Sequence, residues 1–342
     1  MLSIKLIGQT TNTKRTPLHD WWVALYYHQL QTHQFITSRH FDFYNSKKRC
    51  IDSLRIGITT NSKTIVISMV VGNYIMKDIK ELLIPTAGRM DLSKFDPDDT
   101  FGKTRDELDN KLPKLKLIMS ELQYKLYVEN EKSLLIVLQG MDTSGKDGTI
   151  RHVISAFNPV SCRVESFKVP TSEELAHDFL WRIHKAVPRK GFVGVFNRSH
   201  YEDVVEARVQ NWVPESMRLK RINQIRQFEI MLAENNVKIL KFYLHISKQE
   251  QKKRLLERLS DPEKQWKVAE DDYKKRKKWG EYMNAYTDAI SNCSIKEAPW
   301  YVIPANKKWF RNWAISKIIT NTLIEMKIRY PKSTPHHKNM KI

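Results

Sequence analysis

The sequence predicts an α/β fold, a parallel sheet with helices on both faces. Three observations predict it. Short apolar runs of strand length recur between longer helical patterns, the alternation that builds βαβ units. The runs are apolar at successive positions, as strands covered on both faces must be. One of them, Leu134–Leu138, leads straight into a glycine loop, a lysine and a helical pattern, within Ser133–Arg151, SLLIVLQGMDTSGKDGTIR. Five apolar residues are too few for an ordinary helix and suit a buried strand.

The length, 342 residues, accommodates one large α/β domain with appendages, or two modest domains. A hydrophobic content of 41% supports a core of that size. The 58 Lys and Arg against 38 Asp and Glu leave a net charge of +20. Such a field draws polyanions: nucleic acid, an anionic membrane surface or an inorganic phosphate chain. Charge alone does not choose among them. No apolar run approaches the roughly 18 residues of a membrane-spanning helix, and the N-terminal MLSIKLIGQTTNTKRTP lacks the apolar stretch of a secretory signal. Cys50, Cys162 and Cys293 are far apart, odd in number and without metal-site spacing. They read as reduced thiols of a cytoplasmic protein.

Along the chain, residues 1–75 differ from the rest. They carry Trp21, Trp22, Tyr26 and Tyr27, little acid, and one β-branched run, Thr64–Val71, that reads as a strand. Met76-Lys77 reads like a protein's own start, so 1–75 is set apart as an N-terminal extension of unknown role, 76–330 as the catalytic domain, and 331–342 as a disordered tail. Asp91–Thr100 is a polar linker. Lys103–Glu129 carries leucines near helical spacing, with Pro113 marking a kink or a second helix start. This pair is expected to pack on the sheet. After the glycine loop, Arg163–Phe167 is a weak strand, Phe192–Phe196 and Ile239–Leu244 are strong ones, and Trp300–Ile303, closed by Pro304, is the last. The expected helices between and after them are Ser172–Lys185, Glu202–Trp212, Glu215–Asn235, Lys248–Leu259, Glu270–Ser291 and Trp309–Met326.

Three clusters carry chemistry. Gly140, the loop Met141–Ser144, Gly145 and Lys146 follow the P-loop order G-x-x-x-x-G-K. Glycines let successive backbone N–H groups, including those of Thr143, Ser144 and Gly145, point at one anion, and the helix start adds its positive end. Lys146 supplies a mobile cation for the outer phosphates. The bland alternative is a strand-to-helix turn whose glycines serve packing and whose lysine is solvated. Asp147 stands where P-loops usually carry the magnesium-binding Ser or Thr, which makes Asp142 the substitute ligand for Mg2+. The second cluster, Asn197, Arg198, Glu202 and Asp203, follows the Phe192–Phe196 strand. Carboxylates there suit magnesium, with Asp203 joining Asp142 as metal ligand; alternatively they merely complement a helix N-terminus. The third cluster is cationic. Most of its lysines, including Lys274–Lys278, read as solvated faces. Arg254 and Arg258, four apart on one helix face, have the form of a lid that brings arginines to transferring phosphates. Arg208 completes the candidate phosphate- and nucleotide-binding set.

Several blocks together carry a resemblance: GMDTSGKDGTIR, VPTSEELAHDFLWRIHKAVPRKG, FNRSHYEDV, ILKFYLHISKQEQKKRLLERL, DPEKQWK and APWYVIPANKKWFRNW. In this order, over roughly residues 90–330, they resemble the polyphosphate kinase 2 family. The resemblance implies a three-layer α/β/α P-loop kinase fold like that of thymidylate kinase, with a helical lid. It implies magnesium-dependent phosphoryl transfer between inorganic polyphosphate and AMP, ADP or ATP, with no nucleic acid or membrane partner, and a homo-oligomer is expected. It carries over Asp142 and Lys146 as phosphate and metal residues and Arg198 as a phosphate-binding arginine. The motif Phe196-Asn-Arg-Ser-His-Tyr-Glu202 resembles the branch that phosphorylates both AMP and ADP, where the diphosphate branch tends to read F-D-R-S-W-Y-N. Two other readings stand beside it. A conventional ATP-dependent P-loop kinase leaves the cationic surface unexplained. An RNA-binding module with a degenerate P-loop requires base-stacking aromatics on a sheet face, whereas the aromatics here are scattered.

Overall fold

A computed structural model of the protein describes residues 53–60, 63–70, 82 and 90–331. The chain divides into two units, Met1–Lys77 and Asp78–Ile342. In the first, β1 (Ser53–Thr60) and β2 (Lys63–Val70) pair antiparallel, with Ser53 opposite Val70. The Thr64–Val71 run is therefore β2. Its partner, SLRIGITT, is masked in the sequence by its glycine and polar residues. The expected tail beyond Pro331 and Cys50 lie outside the described residues.

The second unit begins with α1 (Arg105–Asp109) and α2 (Leu112–Glu129). Pro113 sits in the first turn of α2, where its missing N–H has no helical partner to lose, so it starts a second helix. There follow β3 (Ser133–Gln139), α3 (Lys146–His152), β4 (Cys162–Ser166), α4 (Ser172–Leu175), α5 (Trp181–Ala186) and β5 (Val193–Asn197). Then come α6 (Glu202–Val209), α7 (Glu215–Glu234), β6 (Val237–His245), α8 (Lys248–Ser260), α9 (Glu270–Lys277), α10 (Trp279–Cys293), β7 (Trp300–Pro304) and α11 (Lys308–Glu325).

Two expected helices are each divided. Ser172–Lys185 breaks between α4 and α5, where the Asp178 carboxylate accepts from the Leu180 N–H and its carbonyl from Trp181. A short acid bonding its own neighbours competes with helix continuation. Glu270–Ser291 breaks at Lys278, whose ammonium is drawn to the Val209 carbonyl, 3.1 Å away.

Five strands form one parallel sheet in the order β4-β5-β3-β6-β7. Leu135 and Val137 of β3 join one core with Val205 of α6, Ile225 of α7 and Ile290 of α10. Leu134, Ile136 and Leu138 join the other, with Met119 of α2 and Ile315, Ile318 and Ile319 of α11. Period-two alternation thus feeds two cores, which is why β3 is apolar from Leu134 to Leu138. By contrast β4 is an edge strand with mostly exposed side chains, so its apolar signal was weak. The chain leaves β3 first toward β4 and β5, then returns past it to β6 and β7. The carboxyl ends around β3 form the topological switch point where α/β sheets bind ligands.

Candidate phosphate-transfer site

The loop after β3 is shaped by local conformations that few residues tolerate. Gly140 and Gly145 lie at φ 147° and 106°, and Thr143 is left-handed at φ 66°. A Cβ on Gly140 would come within 2.8 Å of the Leu244 carbonyl oxygen, so glycine there satisfies both torsion and space. Gly145 caps α3, and the Thr149 N–H closes onto its carbonyl at 2.8 Å. Lys146 folds back over the loop, its Nζ donating to the carbonyls of Gly140 at 2.7 Å and Met141 at 3.3 Å. It is buried rather than solvated. Burial first, and Arg198 second, hold its pKa below the ordinary lysine value, leaving the ammonium responsive to added negative charge.

The loop after β5 runs alongside, because Leu138 is in register with Asn197. Arg198 adopts a left-handed backbone, φ 64°, and its N–H donates to the Leu138 carbonyl. A non-glycine residue held there costs about 1 kcal/mol or more, which its surroundings must over-determine. What the turn achieves is contact: Arg198 Nη2 donates to Asp142 Oδ1 at 2.7 Å, and Nη1 lies 3.9 Å from Glu202. Burial alone would raise the Asp142 pKa, but Lys146, Arg198 and Lys275 outweigh it and hold the carboxyl below its usual value. Glu202 differs: burial dominates, and Arg198 only partly opposes the upward shift.

The third cluster reaches the site by an unexpected route. Arg254 of α8 donates to the carbonyls of Thr143, Ser144, Ala305 and Asn306, and pairs with Glu250. Its five donors are thereby occupied in bracing the P-loop from behind. Arg258 pairs with Asp272 of α9 at 3.0 Å. From α9, Lys275 contacts Glu206 at 2.6 Å and Asp142 at 3.9 Å. The break at Lys278 is what turns α9 back over the loop.

The remaining sequence candidates are distributed. Asn197 Nδ2 donates to Asp147 Oδ1 at 2.9 Å, tying β5 to the start of α3. Asp203 lies 3.8 Å from Arg182 and 3.7 Å from Arg221, rather than with Asp142, and burial raises its pKa. Arg208 pairs with Asp288 of α10 at 3.2 Å, on the far end of α6. Among the described residues no cluster of three acids, histidines or cysteines has the form of a metal cage. Thr143 Oγ1, Ser144 Oγ and Asn197 Oδ1 are, however, buried oxygens without a hydrogen-bond partner. Those oxygens and the Asp142 carboxylate are hard donors, fitting a magnesium ion that keeps phosphate and water ligands better than an all-protein cage.

A cavity of about 430 Å³ opens at the carboxyl end of β4, lined in part by Phe167, Lys168, Trp181, Arg182 and Lys185. Lys185 Nζ sits 4.0 Å over the Trp181 ring, and Arg182 lies 5.5 Å over Phe167. Through Arg182 and Asp203 the cavity borders the Glu202 turn. Sequence reading missed Lys275, Asp272 and Glu206. A charge run does not reveal which of its members faces inward, although the 272 and 275 spacing does put both on one helix face.

Comparison with known proteins agrees with this geometry. The family described as polyphosphate kinase 2 matches residues 102–331. A Meiothermus ruber protein named AMP/ADP-polyphosphate phosphotransferase is 50% identical over 256 residues, 74% of this chain and 96% of its own. A Rhodopseudomonas palustris protein named ADP-polyphosphate phosphotransferase is 39% identical over 75% of this chain and 93% of its own. The crystal structure of polyphosphate kinase 2 from Arthrobacter aurescens superposes with a TM-score of 0.74 at 38% identity, covering 79% of this chain and 95% of that one.

Proposed function

This chain belongs to the polyphosphate kinase 2 family, and from that premise we propose that it transfers the terminal phosphoryl group of inorganic polyphosphate to AMP and ADP, reversibly. The observation that carries the reading is the 2.7 Å contact of Arg198 with Asp142, which joins the P-loop and the second motif at the switch point of the sheet. Phosphoryl transfer asks a protein mainly for positioning and charge neutralisation. Lys146 and Arg198 are placed to neutralise phosphate oxygens, and Lys275 adds a third cation from α9. Asp142 and the unpartnered oxygens of Thr143, Ser144 and Asn197 would hold Mg2+, which would supply charge neutralisation to the transferring phosphates.

The acceptor nucleotide is assigned to the cavity beside β4. Lys168, Arg182 and Lys185 suit its phosphates. Glu202, 3.9 Å from Arg198 and next in sequence to Asp203, which reaches the cavity's Arg182, is the residue assigned to the choice between AMP and ADP. The catalytic unit is residues 76–330. No helix among the described residues is long and apolar enough to cross a membrane, and a cytoplasmic setting suits Cys162 and Cys293, both free thiols. The test is incubation with magnesium, either polyphosphate or ATP as donor, and AMP or ADP as acceptor, with nucleotide products read by chromatography. ADP and ATP formed from polyphosphate support the reading; transfer from ATP to another substrate, with none from polyphosphate, overturns it.

A further inference from the structure

Behind the P-loop lies a charge that no described residue balances. Arg311, in the first turn of α11, is 2% exposed. Among the described residues its guanidinium donates only to the neutral Asn312 Oδ1, through Nε at 3.2 Å and Nη2 at 2.8 Å. No carboxylate among the described residues forms an ion pair with it. Two glycines make room for it: a Cβ on Gly145 would lie 1.9 Å from Arg311 Nη1, and one on Gly148 would lie 3.1 Å from Nη2. The guanidinium is therefore pressed against the backbone of the loop and the first turn of α3. The charged neighbour that acts on it is another cation, Arg254. Burial first and Arg254 second depress its pKa to about 10, still charged at neutral pH.

A buried ion without a counter-ion is a strong destabilising element and survives only where a partner is supplied from elsewhere. The group that the opposite side of this loop is built to receive is a phosphate. We propose that Arg311 is a positioning residue for the phosphate chain: a fixed buried cation whose counter-ion is the bound polyphosphate itself, felt across the backbone of Gly145–Gly148. On this view the glycines serve two surfaces at once, the concave one toward phosphate and the convex one toward Arg311. The inference rests on the polyphosphate reading above.

The test compares the full chain with Arg311→Met and Arg311→Lys. Thermal stability is measured without ligand, and affinity for inorganic tripolyphosphate is measured by calorimetry with a chelator present. Arg311→Met is expected to be at least as stable as the parent yet to bind tripolyphosphate roughly tenfold more weakly, the scale of two unit charges about 12 Å apart at an effective dielectric of about 20. Arg311→Lys is expected to keep most of the affinity. A methionine variant that binds like the parent overturns the inference. So does one that is destabilised while the lysine variant binds no better than it, since that is the signature of a packing role. Should Arg311→Met fail to fold, Arg311→Gln against Arg311→Lys makes the same comparison of charge with no charge. A parent protein that binds no tripolyphosphate overturns the polyphosphate reading itself, and this inference with it.

Discussion

Two buried polar clusters share the short segment Arg198–Glu202, and they are built on opposite plans. His200 and Tyr201 turn inward. Tyr201 Oη donates to Glu229 Oε1 at 2.9 Å, Lys241 Nζ contacts Glu229 Oε2 at 2.5 Å and the Cys293 carbonyl at 2.7 Å, and His200 Nε2 lies 3.3 Å from Glu229. This network is closed: Glu229 and Lys241 neutralise each other with 1% and no exposure. Arg198 and Glu202 turn the other way, into a cluster with Asp142, Lys146, Glu206 and Lys275. There two close pairs, Arg198–Asp142 at 2.7 Å and Lys275–Glu206 at 2.6 Å, are linked by contacts of 3.9 Å, and Arg198 keeps 33% of its side chain exposed. The closed network anchors the turn through α7, β6 and α10, so that the open cluster can hold its geometry while staying available to a ligand. Of these five positions the two ends face the open cluster, and the three between them, Ser199, His200 and Tyr201, are buried.

The largest expected effect comes from opening the closed network. Glu229→Gln leaves Lys241 buried without its counter-ion and is expected to cost about 3–5 kcal/mol of folding stability, measured by urea denaturation. Its pH dependence sharpens the test. Burial alone would raise the Glu229 pKa, but Lys241 and His200 hold it below the ordinary value of 4.5. A depressed carboxylate stabilises the fold above that ordinary value, and the stabilisation is lost as pH falls through the depressed one. The parent should therefore lose stability on acidification below about pH 4.5 more steeply than the variant; parallel curves would show that Glu229 does not titrate with folding.

Next comes Lys146→Ala, expected to leave the fold intact and to lower turnover by about 3 kcal/mol or more, as for other preorganised electrostatic groups. A folded Lys146→Ala protein with near-normal turnover would remove the P-loop assignment. Asp142→Asn is expected to reduce activity at limiting magnesium by about 1.5–3 kcal/mol, since a charge-assisted contact to Arg198 goes with the ligand. Raising magnesium should restore part of the loss; unchanged activity at limiting metal would place the ion on other residues. The smallest effect is one of preference. Glu202→Asn is expected to lower kcat/KM for AMP more than for ADP by roughly tenfold, read by assaying both acceptors side by side. Equal losses would mean that Glu202 serves the step common to both.

The sequence by itself determined the sheet, the P-loop and the second motif. Buried parallel strands must be apolar on both faces, and a phosphate cradle must place glycines and a lysine at fixed spacing. Both demands are local, so both are written in consecutive residues. It also placed Asp142, Lys146 and Arg198 correctly at one end of one sheet, because strand ends in a parallel sheet converge. The tertiary structure decided what spacing cannot encode: which member of a charge run faces inward. Lys275 comes to Asp142 only because α9 breaks from α10 at Lys278 and folds back. Arg254 braces the loop instead of pointing past it, because four carbonyls from two segments happen to meet its guanidinium. Asp203, adjacent in sequence to Glu202, faces Arg182 and Arg221, since consecutive residues on a helix point about 100° apart. The partner of a buried charge is set by packing between distant segments, and packing is not a property of any one stretch of chain.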